Sequence, residues 1–82
     1  MRKNYFYMLT FQTTHDAIRT EKALKPYLRV IVMPVLRQVS ASCGMALRIE
    51  DEDWSKLLEL DWDRACTTPY HVGESVETVT WR

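Results

Sequence analysis

Glycine and proline are scarce in this 82-residue chain, at two and three residues, and cysteine appears only twice. So little Gly and Pro excludes collagen-like and low-complexity disordered classes. No period recurs along the chain that a repeat array would need. Cys43 and Cys66 are too few for a disulfide scaffold. No apolar run approaches the ~18–20 residues of a membrane span. The start, Met1-Arg2-Lys3-Asn4, resembles a signal n-region, but the apolar stretch after it (residues 5–11) is short, aromatic and followed by no small-residue cleavage site. The expected setting is therefore reducing and cytoplasmic, with no membrane association. Eleven basic and eleven acidic residues cancel, which argues against a nucleic-acid binder.

What is present is a globular balance of 46% apolar and 27% charged residues, enough for one domain over residues 1–82. The zero net charge hides a split: residues 1–49 hold eight Lys/Arg against two acids, and residues 50–82 hold three against nine. Tyr5-Phe6-Tyr7-Met8-Leu9-Thr10-Phe11 has the length of a strand covered on both sides. Thr13 followed by Asp16 fits a helix start, and the helix is expected to reach about Tyr27, with Pro26 fraying its last turn. Ala17, Leu24 and Leu28 share one face of it, with Glu21 among them; a carboxylate there needs an ion pair or a hydrogen bond, a structural role.

Residues 29–36 read as a second strand; Pro34, whose nitrogen cannot donate to a ladder, places it at an edge or ends it near Met33. Met45, Leu47 and Ile49 alternate as a third. Glu50-Asp51-Glu52-Asp53 then opens a second helix with Trp54, Leu57, Leu58, Trp62 and Ala65 on one side, the acids complementing its macrodipole. Residues 67–73 read as a loop and residues 75–81 as the closing strand. The order βαββαβ predicts an α+β, ferredoxin-like sandwich: a four-stranded antiparallel sheet with two helices on one face. That topology assigns His15, Cys43, Cys66 and His71 to one end and the acidic run to the other. Arg2, Lys3, Lys25 and Arg29 are expected beside those acids as matching charge, leaving Arg37 for the cysteine loop. A bare second sheet face, with Tyr70 and Trp81 on it, would invite pairing with a second copy.

The most unusual segment is Arg37-Gln38-Val39-Ser40-Ala41-Ser42-Cys43-Gly44, where small residues crowd a cysteine and the Gly is expected to re-aim the backbone. Leu9-Thr10-Phe11, Thr14-His15-Asp16-Ala17, Glu21-Lys22, Pro34 through Arg37 and Ser40 through Arg48 together resemble the selenium/sulfur carrier protein-like family, over about residues 5–50. The resemblance implies that Cys43 is the carrier thiolate, holding sulfur or selenium as a persulfide or perselenide. Arg37, Ser40, Ser42, Gly44, Thr14 and His15 would surround it. The implied partners are a cysteine-desulfurase-type donor and sulfur or selenium transfer proteins. A thiolate forms more readily near positive charge or a helix N-terminus; Arg37 and His15 would help, and Asp16 would oppose.

The residues alone leave other readings open. Cys43 shares the parity of Met45, Leu47 and Ile49, so an unbroken strand would bury it as a small hydrophobe. Two Cys and two His at one end raise zinc, but no C-x-x-C or H-x-x-x-H spacing supports it, and neither a metal nor a cofactor is expected. A Cys43–Cys66 disulfide is a further option, as is Cys66 packing at a helix end. No Ser/His/Asp order or Gly-rich phosphate loop points to a turnover enzyme. The rival to the carrier is a non-catalytic protein- or small-ligand-binding or regulatory module.

Overall fold

The aromatic run at the start of the chain forms the middle of the sheet. The computed structural model describes residues 5–39 and 44–81; Arg2, Lys3, Ser40, Ser42 and Cys43 lie outside the described residues. In chain order the elements are β1 (Phe6–Phe11), α1 (Thr14–Leu24), β2 (Val30–Pro34), β3 (Met45–Glu50), a 3-10 turn (Asp51–Asp53), α2 (Trp54–Glu59), β4 (Thr67–Val72) and β5 (Val76–Thr78). They build an open five-stranded sheet in the order β2-β3-β1-β4-β5, antiparallel throughout. The α+β class is as expected, but the sheet has five strands where four were predicted.

The extra strand comes from a misread segment. Residues 67–73, expected as a loop, contain β4, and the expected closing strand shrinks to the three residues of β5 at the edge. Ladder phase explains why proline is tolerated. Met8↔Tyr70 and Thr10↔Thr68 flank the Leu9↔Pro69 pair on β1. The Pro69 carbonyl accepts from Val79 N at 3.1 Å, on the β5 side. An extended residue points its N–H and C=O the same way, so the donor that Pro69 lacks is missing from the β5 side and costs the β1–β4 ladder nothing. Pro34 follows the same logic. Val35 N donates to Gly44 O at 3.1 Å, toward β3, so Pro34, one residue earlier, faces the free edge. The expectation that β2 is an edge strand holds.

Helix α1 starts as its sequence predicts, with the Thr13 side chain accepting from Asp16 N at 3.1 Å. It ends at Leu24, short of Tyr27, and Pro26 lies just past its C-cap, where proline cannot continue a helix. Helix α2 is far shorter than expected: it stops at Glu59, and Trp62 and Ala65 lie beyond it. Its end is tied off by side chains that the 3.6-residue pattern had counted as helical or ignored. Arg64 Nη2 donates to the carbonyls of Leu58 (2.6 Å) and Leu60 (3.1 Å), and Trp62 Nε1 donates to Leu57 O at 3.1 Å. A cation over the final carbonyls suits the negative end of the helix.

Both helices pack on one face of the sheet. Leu9, Phe11, Ala17, Leu24, Leu47, Ile49 and Leu57 form its core, with Tyr7, Trp54, Trp62 and Trp81 around it. A buried Leu, Ile or Phe side chain of this kind contributes about 1.5–3 kcal/mol. Trp81 therefore sits under the helices, contrary to its expected place, whereas Tyr70 is on the second face. That second face is not bare. Met8 and Ala46 are fully buried there beneath Val39, with Val35 and Leu36 packed alongside.

The acidic run lies at the end away from the β2–β3 loop, as expected, since Glu50 pairs with Phe6 at the start of β1. Of the basic residues expected beside it, Arg2 and Lys3 lie outside the described residues, and neither Lys25 nor Arg29 is in a described ion pair. Glu50 is held by Arg48 Nε at 2.9 Å, and Asp51 faces His71 Nε2 at 3.6 Å. His71, assigned from sequence to the cysteine end, is on β4 opposite Tyr7 and so belongs to the acidic end. Tyr7 there stacks on Trp54 at 3.9 Å and meets the His71 ring edge-on at 4.8 Å. Gly73, in the β4–β5 turn, leaves room for the Tyr5 ring, which would lie 3.2 Å from an added Cβ.

Burial raises the Tyr7 phenol above its ordinary 10.0, and the Asp51 carboxylate adds to the rise. A proton held more tightly in the folded chain stabilises it fully below the ordinary value, and that contribution is lost as pH climbs through the folded value. An NMR titration of the Tyr7 ring should show it ionising above 10.0, with Asp51→Asn bringing it part of the way back. Ionisation at or below that value would contradict the packing described.

Candidate functional site

The cysteine loop hangs between β2 and β3, and its neck is closed by backbone. Val35 N to Gly44 O extends the β2–β3 ladder one step past Pro34 and Met45. Within the loop, Val39 N donates to Leu36 O at 3.0 Å, forming a turn. Val39 is buried against the Met8–Ala46 cluster, while Arg37 and Gln38 are exposed. An apolar side chain thus pins the segment that leads into residues 40–43. The expected carrier residue Cys43 and its neighbours Ser40 and Ser42 lie outside the described residues; Val39 and Gly44 are the described residues on either side of them.

Three other expected site residues share this end. Thr10 pairs with both Ala46 and Thr68, so the end of β1, the start of α1, the β2–β3 loop and the start of β4 lie at one level. Thr14 and His15 are exposed in the first turn of α1, and Arg37 is exposed on the loop. None of the described hydrogen bonds or ion pairs joins His15 or Arg37 to each other or to Gly44. Glu21 is half-buried on α1, on the helix side of the sheet, whereas the described loop residues Val35, Leu36 and Val39 pack on the other side.

Gly44 departs from expectation. Its φ is not in the left-handed region, and a Cβ added to it meets nothing within 4 Å. Neither backbone conformation nor packing within the described chain requires glycine there.

Cys66 sits across the same end. Gly44 and Cys66 each lie two residues before a partner of Thr10, on strands that flank β1, which separates them by about two strand spacings, roughly 10 Å. Cys66 is half-buried against the helix-side core. Its Sγ lies 3.7 Å from Arg19 Nη2, 3.7 Å from Asp63 O and 3.6 Å from Thr67 Oγ1. The same Arg19 nitrogen reaches Asp16 Oδ1 at 3.1 Å and Asp63 Oδ2 at 3.5 Å. Partial burial pulls the guanidinium pKa down, but Cys66, Asp16 and Asp63 together carry it above its ordinary value, so Arg19 is a fixed cation beside this thiol. Sequence reasoning missed Arg19 and Asp63. The available signal was the Asp16–Arg19 spacing of three on one helix face. The four Cys and His residues weighed for zinc are not assembled, since His71 is at the opposite end.

A shallow groove lies apart from the loop, between α1 and the segment after α2. Its two adjoining parts, of about 210 and 140 Å³, share Ala23, Asp61 and Trp62 as lining residues.

Substituting Gly44→Ala should leave the fold intact. With no clash to relieve and no strained φ, it should be neutral or stabilise by about 0.4–1 kcal/mol through the unfolded chain. Urea denaturation of the two proteins measures this; a loss of more than about 1 kcal/mol would show that the position is sterically constrained.

Comparison with the curated proteins gives no match, and comparison with the solved structures gives none. A family model does match. It is described as "Putative Se/S carrier protein-like", and it covers residues 6–60, from β1 through α2 with the whole cysteine loop between them. That is more than half of the chain, and the chain belongs to this selenium/sulfur carrier-like family.

Proposed function

We propose that this chain carries sulfur or selenium on Cys43 and relays it between partner proteins, on a ferredoxin-like plan extended by β5. The observation that carries the reading is the family match across residues 6–60, which includes the Ser40-Ala41-Ser42-Cys43-Gly44 run. The loop's construction supports it. Val39, packed against the sheet, and the Val35–Gly44 bond bracket the segment that carries Cys43. Gly44, needed by neither fold nor packing, keeps the position after Cys43 clear for an approaching partner.

In the forward step the Cys43 thiolate attacks the terminal sulfur of a persulfide on a cysteine-desulfurase-type donor. One S–S bond forms and one breaks, and the donor cysteine leaves as a thiolate. An acceptor thiol repeats the exchange on the Cys43 persulfide and releases the Cys43 thiolate. Neither step has net oxidation, and selenium follows the same course. Arg37 and His15 supply positive charge to the thiolate, and Thr14, Ser40 and Ser42 supply hydrogen-bonding groups around it.

Intact mass after incubation with a cysteine desulfurase and cysteine tests the reading. The expected gain is one sulfur atom, kept in Cys66→Ser and absent in Cys43→Ser. A gain that persists in Cys43→Ser and disappears in Cys66→Ser would move the carrier to the wrong residue and overturn the reading.

A further inference from the structure

The groove between α1 and the segment after α2 has two unlike halves. The larger, about 210 Å³, is walled by Leu24, Tyr27, Leu60 and Trp62, and the smaller, about 140 Å³, holds Arg19, Thr20 and Asp63; Asp61 borders both. Three of these side chains have no partner in the fold. Tyr27 is 56% exposed, and its ring meets no other ring among the described residues. Asp61 is exposed and in no described ion pair. Thr20 is only 4% exposed, yet its hydroxyl makes no hydrogen bond among the described residues. A buried hydroxyl without a partner is costly. No described side-chain N or O that is sealed from solvent lacks a partner, so the Thr20 hydroxyl keeps an opening, and the groove it lines is that opening.

The charges around the groove set the kind of ligand. Arg19 is the one cation among its lining residues, and its Nη2 is already held by Asp16 Oδ1 at 3.1 Å and Asp63 Oδ2 at 3.5 Å. Arg64, next to Leu60, spends its Nη2 on the carbonyls of Leu58 and Leu60. Lys22, Lys25, Lys56 and Glu59, on and just after the two helices, line neither half. Three acids (Asp16, Asp61 and Asp63) thus stand against two bases (Arg19 and Arg64), and the carboxylate left over is Asp61, at the junction of the halves. An anion seeking Arg19 would have to lie beside Asp61 and Asp63. An ammonium finds the Asp61 carboxylate and the Thr20 oxygen as acceptors, and the rings of Tyr27 and Trp62 attract a cation that carries an apolar body. At roughly 30 Å³ per water-sized group, the two halves hold on the order of ten non-hydrogen atoms.

We propose that this groove binds a small organic cation, a primary ammonium on a short apolar or aromatic body. The ammonium donates to Asp61 and to Thr20 Oγ1, and the body lies in the half walled by Tyr27 and Trp62. The site goes beyond the carrier reading and does not depend on it. Leu24, Leu60 and Trp62 belong to the helix side of the sheet, whereas the described residues of the cysteine loop pack on the other side.

The probe is 2-phenylethylammonium, titrated into the full chain at neutral pH and followed by NMR at the Trp62 indole N–H and the Thr20 and Ala23 amides. For a ligand of this size in a shallow groove the expected dissociation constant is on the order of 1 mM. Two matched compounds isolate the charge: 2-phenylethanol, which is neutral, should bind at least about fivefold more weakly, and 3-phenylpropionate more weakly still. Asp61→Asn, at an exposed position, should fold normally and remove the preference for the amine over the alcohol. Thr20→Val keeps the shape and loses no hydrogen bond of the fold, so it should fold and weaken the amine about threefold. Should that variant not fold, Tyr27→Ala at its exposed position reads the same site, by loss of the ring that the body rests on. Cys43→Ser should bind as the natural sequence does, which separates this result from the fate of the carrier reading. Equal binding of amine and alcohol, tighter binding of the carboxylate, an amine preference that survives Asp61→Asn, or no shift at these nuclei at about ten times the expected constant would each overturn the proposal.

Discussion

The structure depends on β1 being paired along both sides and buried on both faces. Leu9 and Phe11 enter the helix-side core, Met8 enters the second cluster, Thr10 is buried as well, and the backbone bonds to β3 and β4 at once. A strand in that position fixes the phase of every other ladder in the sheet. Counted outward from β1, the phase turns Pro69 toward β5 and Pro34 toward solvent, so both prolines lie where no interior bond is lost. The same phase sets which groups of β2 meet solvent and closes the neck of the cysteine loop at Val35 and Gly44.

The two faces serve different ends. Helices and four aromatic rings cover one, with Trp54 stacked between Tyr7 and Trp81 at 3.9 and 5.4 Å. The other is roofed by the approach to the cysteine loop, whose apolar residues make it part of the fold before it reaches residues 40–43. Under the proposed carrier role, that approach is the described part of the fold that leads to Cys43. At the far end, Glu50 is engaged by Arg48 and Asp51 faces His71.

Much of this was legible in the residues. The unbroken run at residues 5–11, the Thr13 cap and the alternation of Met45, Leu47 and Ile49 are local signals, and local chemistry decides those elements. The errors arise where tertiary contacts decide. Trp62 continues the helical stripe of α2, yet it turns back to bond Leu57 O because Arg64 ends the helix. Thr67–Val72 is β-branched and aromatic enough for a strand, and the facing of Pro69, set by its pairing with the neighbouring β1, makes it one. His71 moved ends with that strand. In the site, the shared end of the loop, Thr14, His15 and Cys66 was legible from connectivity. The Arg19–Cys66–Asp63 cluster was not, because it joins residues 44 or more apart in sequence through side chains alone.

A chase experiment with labelled cysteine sulfur tests the central claim, passage of the cargo through Cys43, most directly. The chain is loaded by a cysteine desulfurase, freed of donor and mixed with a thiol acceptor protein. The account predicts that label leaves Cys43 at the rate at which it appears on the acceptor. Label reaching the acceptor equally fast from the donor when Cys43→Ser replaces the natural chain would contradict it.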